Sequence, residues 1–138
     1  MEPEDNRVEV NQADKMRLTD ATLNKLLITI DAVKGREHGM YFSDSVATLW
    51  PETAEEYNAR IPHPNDLSTI QDKLRYGRFS TNGEVREDII LLYQNCKDFN
   101  GPEHALTDAA QKVMDEILKE LPVLLESKTR SGNRFKGE

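Results

Sequence analysis

Apolar residues recur along the chain at helical rather than strand spacing. Leu23, Leu26, Leu27, Ile30 and Val33 fall three and four residues apart, the pattern that turns one face of a helix toward a core. Thr19 or Asp20 is a good N-cap just before them and Gly35 a good stop just after, so a first helix is predicted between those marks. Asp66 opens a shorter second helix, in which Leu67, Ile70 and Leu74 share a face before Gly77 ends it. A third runs from about Thr81 to Phe99, with Val85, Ile89, Leu92, Cys96 and Phe99 on one stripe. The fourth begins near Leu106 and continues through Ala110, Val113, Ile117, Leu121 and Leu124. Pro122 sits inside that pattern and is expected to kink or end it.

No segment alternates polar and apolar residues as a strand would. Four amphipathic helices around one core predict an all-α bundle. The connection between the first two helices is out of proportion, since Arg36 to Asn65 is about 30 residues, far beyond the usual bundle loop. It carries Met40, Tyr41, Phe42, Val46, Leu49, Trp50, Tyr57 and Ile61, too aromatic for a mere linker. Long ordered loops in compact domains are usually functional, so a site is sought there.

A length of 138 residues fits one domain able to bury its own core. Residues 1–17 lack periodicity, and "SKTRSGNRFKGE" from Ser127 is polar and basic. Both are read as flexible tails around one domain at residues 18–126. No apolar run approaches the roughly 18 residues needed to span a bilayer, so no membrane partner is expected. The acidic start "MEPEDNRVEV" is unlike a secretory signal. One cysteine excludes an internal disulfide, and three scattered His offer no metal-ligand pattern. The net charge of -7 argues weakly against direct nucleic-acid binding and is compatible with a basic partner. Glu55-Glu56 and Glu87-Asp88 are expected on solvated faces, and Cys96 as a small buried residue rather than a nucleophile.

Two stretches carry a resemblance. "YNARIPHPNDLSTIQDKL", followed by "GRFSTNGEVREDIILLYQNCKDFN", resembles a bromodomain, the acetyl-lysine reader. The family pattern is matched by Tyr57, by Pro64 with Asp66-Leu67-Ser68-Thr69-Ile70, by Gly77-Arg78-Phe79, and by Asn95 with Phe99-Asn100. The resemblance covers about residues 20–125. It implies a left-handed four-helix bundle whose long first loop folds over one end, with a pocket between that loop and the junction of the third and fourth helices. By position, Asn100 would donate to the acetyl carbonyl and Tyr57 would hold a bridging water. Phe42, Val46 and Phe99 would line the pocket, and Leu106 would stand at its entrance. Asn95 would pin the long loop rather than touch ligand, in a structural role shared with Asp66 and Pro64.

The chain departs from the family pattern at several positions. Met40-Tyr41-Phe42 stands where many members have Trp-Pro-Phe, and Ser45 replaces the usual Pro before the lining Val. Asn65 replaces a common Met and Phe99 the commoner Tyr. Met40 and Tyr41 therefore make a different shelf. Trp50 either extends it or anchors the loop, and His104 is a candidate for the rim.

The chemistry suits the residue types. Acetylation converts an ammonium into a neutral amide with a methyl and one strong acceptor, so a reader needs an apolar slot with one fixed donor. Unmodified lysine would have to bury its charge without a counter-ion. Asn100 alone would be read as a helix cap; in register with the other motif positions it is read as the ligand contact. Five residues at about 100° each put Asn95 and Asn100 roughly 140° apart on a helix, so they cannot both face one small pocket. A reader of acetylated histone tails or other acetylated proteins is expected. It would have no cofactor, no metal and no catalysis, be monomeric as an isolated domain, and lie within a larger chromatin-associated protein of the nucleus. The competing reading is a degenerate bromodomain serving as a scaffold. A small helical enzyme would need a nucleophile or acid–base pair that the sequence does not assemble.

Overall fold

A computed structural model describes residues 12–123. Thr19 accepts from the Thr22 N–H at 3.1 Å and starts α1, Asp20–Lys34. Four long helices make the body: α1, then α4 (Leu67–Arg75), α5 (Asn82–Asn100) and α6 (Ala105–Leu118), with α2 (Val46–Leu49) and α3 (Ala54–Arg60) in the connection between α1 and α4. Asp66 caps α4, accepting from both the N–H and the hydroxyl of Thr69 at 2.8 and 2.9 Å. Thr81 and Glu84 form a reciprocal capping box at the start of α5. His104 caps α6, its Nδ1 accepting from the Leu106 N–H at 3.0 Å.

The stripes meet in one core. Leu26, Ile30 and Val33 of α1 pack with Leu67, Ile70 and Leu74 of α4, with Val85, Ile89, Leu92 and Cys96 of α5, and with Ala110, Val113 and Ile117 of α6. Burying each large aliphatic side chain contributes about 1.5–3 kcal/mol, and repetition of that term holds the four helices together. α5 and α6 form the most extensive pair, while α1 packs on α4 and α6. Among the described residues there is no strand, only an isolated antiparallel bridge between Arg17 and Thr81.

The long connection is mostly helical turns. A 3₁₀ turn at Met40–Phe42, then α2, a second 3₁₀ turn at Pro51–Thr53 and α3 follow one another. Gly39 lets the first of these press on α1, because a Cβ there would come within 1.8 Å of the Val33 carbonyl oxygen. Side-chain hydrogen bonds and ion pairs then fasten the connection to the body. Lys34 donates to Ser68 Oγ at 2.9 Å, and Ser68 donates to the Ser43 carbonyl at 2.6 Å. Asn95 donates to the His63 carbonyl at 2.8 Å, and Asn65 to the Asp88 carbonyl at 2.8 Å. Glu116 of α6 pairs with Arg36 and with His38, the latter at 3.0 Å.

Three expectations need correction. The tail assigned to residues 1–17 does not extend that far. Residues 12–15 form a helical turn, Ala13 is buried, and Asn82 donates from its side chain to the Ala13 carbonyl at 3.2 Å. Backbone bonds Asn82 N–H to Met16 O and Leu18 N–H to Ser80 O, both 3.0 Å, complete the docking with an Asp14–Arg86 ion pair at 2.9 Å. The remainder of that tail, the tail from Ser127 and the domain's end at residue 126 lie outside the described residues. The fourth helix does not reach Leu121. It ends at Leu118, four residues before Pro122, whose ring would clash with the Leu118 carbonyl and which disfavours helical geometry at Leu121. Asp88 is not simply solvated, since Lys73 Nζ lies 2.6 Å from its carboxylate.

Candidate functional site

At the end of the bundle where α5 gives way to α6, the connection arches over and leaves a cavity of about 240 Å³. Its outer wall comes from the first part of the connection, Tyr41, Phe42, Asp44 and Val46, and from Trp50 and Thr53 further along. Tyr57 of α3 and Asn65 supply another side. The body contributes Leu92, Cys96, Phe99 and Asn100 from the last turns of α5, with Leu106 from the start of α6.

Helix geometry dictates the α5 contribution. Leu92, Cys96, Phe99 and Asn100 follow one another at spacings of four, three and one, so they share a side of the helix over its last turns. Gly101 stops the helix with φ 97° and ψ 157°, a backbone that a side chain would strain, and its N–H bonds the Lys97 carbonyl at 2.8 Å. Thr107 Oγ1 donates to the Gly101 carbonyl at 2.6 Å and fixes the turn into α6. Asn100 is thereby held on the cavity wall. Its amide donates to the Cys96 carbonyl at 3.3 Å and approaches Cys96 Sγ at 3.5 Å. The first contact is long and the second meets a weakly accepting sulfur, so a better acceptor could take a hydrogen from this NH₂ at little cost.

The aromatic residues form two groups. Phe99 meets Tyr57 edge-on, centroids 5.0 Å apart, and Arg60 lies 4.6 Å from the Phe99 centroid. Tyr41 and Trp50 are parallel to within 15°, centroids 6.4 Å apart. Burial, and then the proximity of Cys96 and Asp66, push the Tyr57 hydroxyl up to about 12, so at neutral pH it is a neutral donor and acceptor. Burial also raises the Cys96 thiol, with hydrogen bonds involving Asn100 and Thr107 acting in the opposite direction. An acidity pushed that way keeps the sulfur from thiolate nucleophile chemistry.

Eight of the expected site residues come together on this cavity: Asn100, Tyr57, Phe42, Val46, Leu106, Phe99, Tyr41 and Trp50. Met40 and His104 do not line it. Met40 is exposed, and the ring nitrogen of His104 is spent on the cap of α6. Asn95 is buried away from the cavity on the His63 carbonyl, Asp66 caps α4, and Pro64 borders a neighbouring hollow of about 250 Å³ that shares Val46, Tyr57 and Asn65 with the cavity. Asp44, Thr53, Asn65, Leu92 and Cys96 are lining residues that the motif positions did not single out. Leu92 and Cys96 stand eight and four residues before Asn100, a spacing that marks the same face. The Asn65 amide is engaged with the Asp88 carbonyl and the Asp66 N–H, so it borders the cavity as a fixed wall. Among the described residues no cluster of three or more His, Cys, Asp or Glu could hold a metal. No described helix is long and apolar enough to cross a membrane.

Comparison with known proteins gives a consistent result. The Bromodomain family model matches residues 26–112. Bromodomain-containing factor 1 of Candida albicans is 33% identical over 94 residues, 68% of this chain and 13% of that protein. Bromodomain-containing protein bet-1 of Caenorhabditis elegans is 38% identical over 65 residues, 47% of this chain and 8% of that protein. The chain thus spans a small part of either relative. Among solved structures, Trypanosoma brucei BDF5, solved with PF-CBP1, superposes with a TM-score of 0.65 at 27% identity, covering 77% of this chain and 93% of that one. PP-BRD20, complexed with BI-2536, also gives 0.65, at 25% identity over 77% of this chain and 91% of that one.

Proposed function

Because the chain belongs to the bromodomain family, whose members are acetyl-lysine reader modules rather than enzymes, we propose that the cavity at the α5–α6 junction is its acetyl-lysine site. The partner is an acetylated histone tail or another acetylated nuclear protein, and its capture recruits a larger parent protein to chromatin. One observation carries the reading: the Asn100 amide stands at the end of α5 on a mostly apolar cavity that it shares with Tyr57.

In this reading Asn100 exchanges its long contact with Cys96 for the acetyl carbonyl, and the neutral Tyr57 hydroxyl holds a water bridging to the same oxygen. Phe42, Val46 and Leu106 bury the methyl and the lysine stem. Unmodified lysine is refused because its ammonium would give up water inside a mostly apolar slot where the Asn100 NH₂ faces it and the neutral amide carries no compensating charge. A small slot gripping one side chain buries little surface, so a micromolar-class affinity is expected.

Titration with acetylated and unmodified histone peptides tests this. Binding should require acetylation and weaken by about 5- to 150-fold in Asn100→Ala, the range set by a lost hydrogen bond with a stranded partner. Acetyl-independent binding that survives Asn100→Ala would instead support a scaffold with a degenerate pocket.

A further inference from the structure

The mouth of the cavity has a chemical character that a neutral acetamide does not use. Tyr41 and Trp50 both line it with their ring planes within 15° of parallel, so their faces point the same way. Tyr41 is 41% exposed, which leaves its ring open to a guest. Asp44 lines the same cavity. Its Oδ1 accepts from the Ser45 N–H at 2.8 Å, and no Lys, Arg or His among the described residues lies within ion-pair distance of its carboxylate.

These groups ask for one kind of occupant. An aromatic face attracts a cation through its quadrupole. Asp44 is exposed, so an opposite charge placed beside its carboxylate adds a modest attraction in water. A planar guanidinium answers both demands, since it stacks flat on a ring while its edge donates to a carboxylate. An acidic side chain in the same place would meet the electron-rich ring face and the carboxylate, and would be repelled by both.

We infer that Tyr41, Trp50 and Asp44 form a second subsite that takes an arginine side chain of the same peptide, so that the module selects acetyl-lysine with an arginine close by in sequence. This rests on the acetyl-lysine reading of the cavity. Both parts belong to one cavity, and an extended chain advances roughly 3.4 Å per residue, so the arginine lies within about three residues of the acetyl-lysine. Tyr41 is the carrier of the selectivity, and Asp44 adds charge that salt can screen.

The test uses the intact chain and acetyl-lysine peptides in a glycine–serine background. One arginine is stepped through the three positions on either side, and each peptide has a twin with citrulline, which keeps the size and planarity of arginine and removes its charge. At one or two positions the arginine peptide should bind about 3- to 10-fold more tightly than its citrulline twin. The ratio within each twin pair should collapse toward one in Tyr41→Leu and shrink in Asp44→Asn, whatever either change does to affinity as a whole. Equal binding of the twins at every position, with acetylation still required, would overturn the subsite and leave the acetyl-lysine site standing. Loss of acetyl dependence in all the peptides would overturn both.

Discussion

The Arg60 guanidinium lies 4.6 Å from the centre of the Phe99 ring and donates to the Asp98 carbonyl at 3.2 Å. It clasps α3 to the last turn of α5, one residue from Asn100. The ring it covers is the one that meets Tyr57 edge-on, so the clasp holds both aromatic walls in place. The side chain is half-exposed, which limits a cation–π contact to about 0.5–1 kcal/mol. Arg60→Ala should therefore weaken binding of an acetylated peptide about 2- to 5-fold, with Arg60→Lys in between. An alanine variant with unaltered affinity by calorimetric titration would remove Arg60 from the recognition machinery.

The two asparagines of α5 should separate affinity from stability. Asn95 is buried, and its bond to the His63 carbonyl ties the connection to the body. Asn95→Ala strands that carbonyl and should cost about 1–3 kcal/mol of unfolding free energy. Asn100 makes only weak contacts with Cys96, so Asn100→Ala should leave stability within about 0.5 kcal/mol while peptide affinity falls. Denaturant unfolding paired with peptide titration on the two variants checks the division, and equal destabilisation by both would contradict it.

Tyr57 gives the protein an alkaline signature. Its folded acidity, near 12, lies above the ordinary value of 10.0, so the folded state keeps a proton that the unfolded chain releases. The stabilisation is whole below pH 10 and is lost as pH rises from about 10 to about 12. Two units correspond to roughly 3 kcal/mol at most. Wild type should lose stability relative to Tyr57→Phe across that window, and ultraviolet titration of Tyr57→Phe should lack one late phenolate transition. Parallel stability curves for the two proteins would show that the hydroxyl is not held neutral.

The docked segment before α1 should be part of the folding unit. Removing residues 1–17 exposes the pocket of Ala13, frees Asn82 and breaks the Asp14–Arg86 pair. A loss of about 2 kcal/mol is expected from the buried amide and apolar contacts together. Thermal unfolding of the shortened chain against the intact one measures it, and an unchanged midpoint would mean the segment contributes no net stability.

Most of the bundle was legible because its signals are local. Thr19, Asp66 and Thr81 each accept from an N–H three residues away, and the apolar stripes repeat with the helix. The end of α6 was misread because apolar spacing continues to Leu124 while Pro122 acts four residues upstream. The docking of residues 12–17 was invisible for a different reason. It depends on one small residue, Ala13, meeting an asparagine 69 positions away, and no periodicity announces such a contact. In the site, Leu92 and Cys96 were legible as one face of α5 but not as cavity lining, since one stripe serves both the core and the slot. Asp44 and Thr53 gave no signal, because the 3₁₀ turns around them decide where they point.

The bridge between Arg17 and Thr81 sets how this module can be tethered. It fastens the incoming chain at the start of α5, whereas Asn100 ends that helix 18 residues later, roughly 27 Å along its axis. A fluorophore, surface anchor or fusion partner joined directly at residue 12 is thus carried at the pole remote from the cavity. The same cargo attached near His104 would crowd the peptide's path.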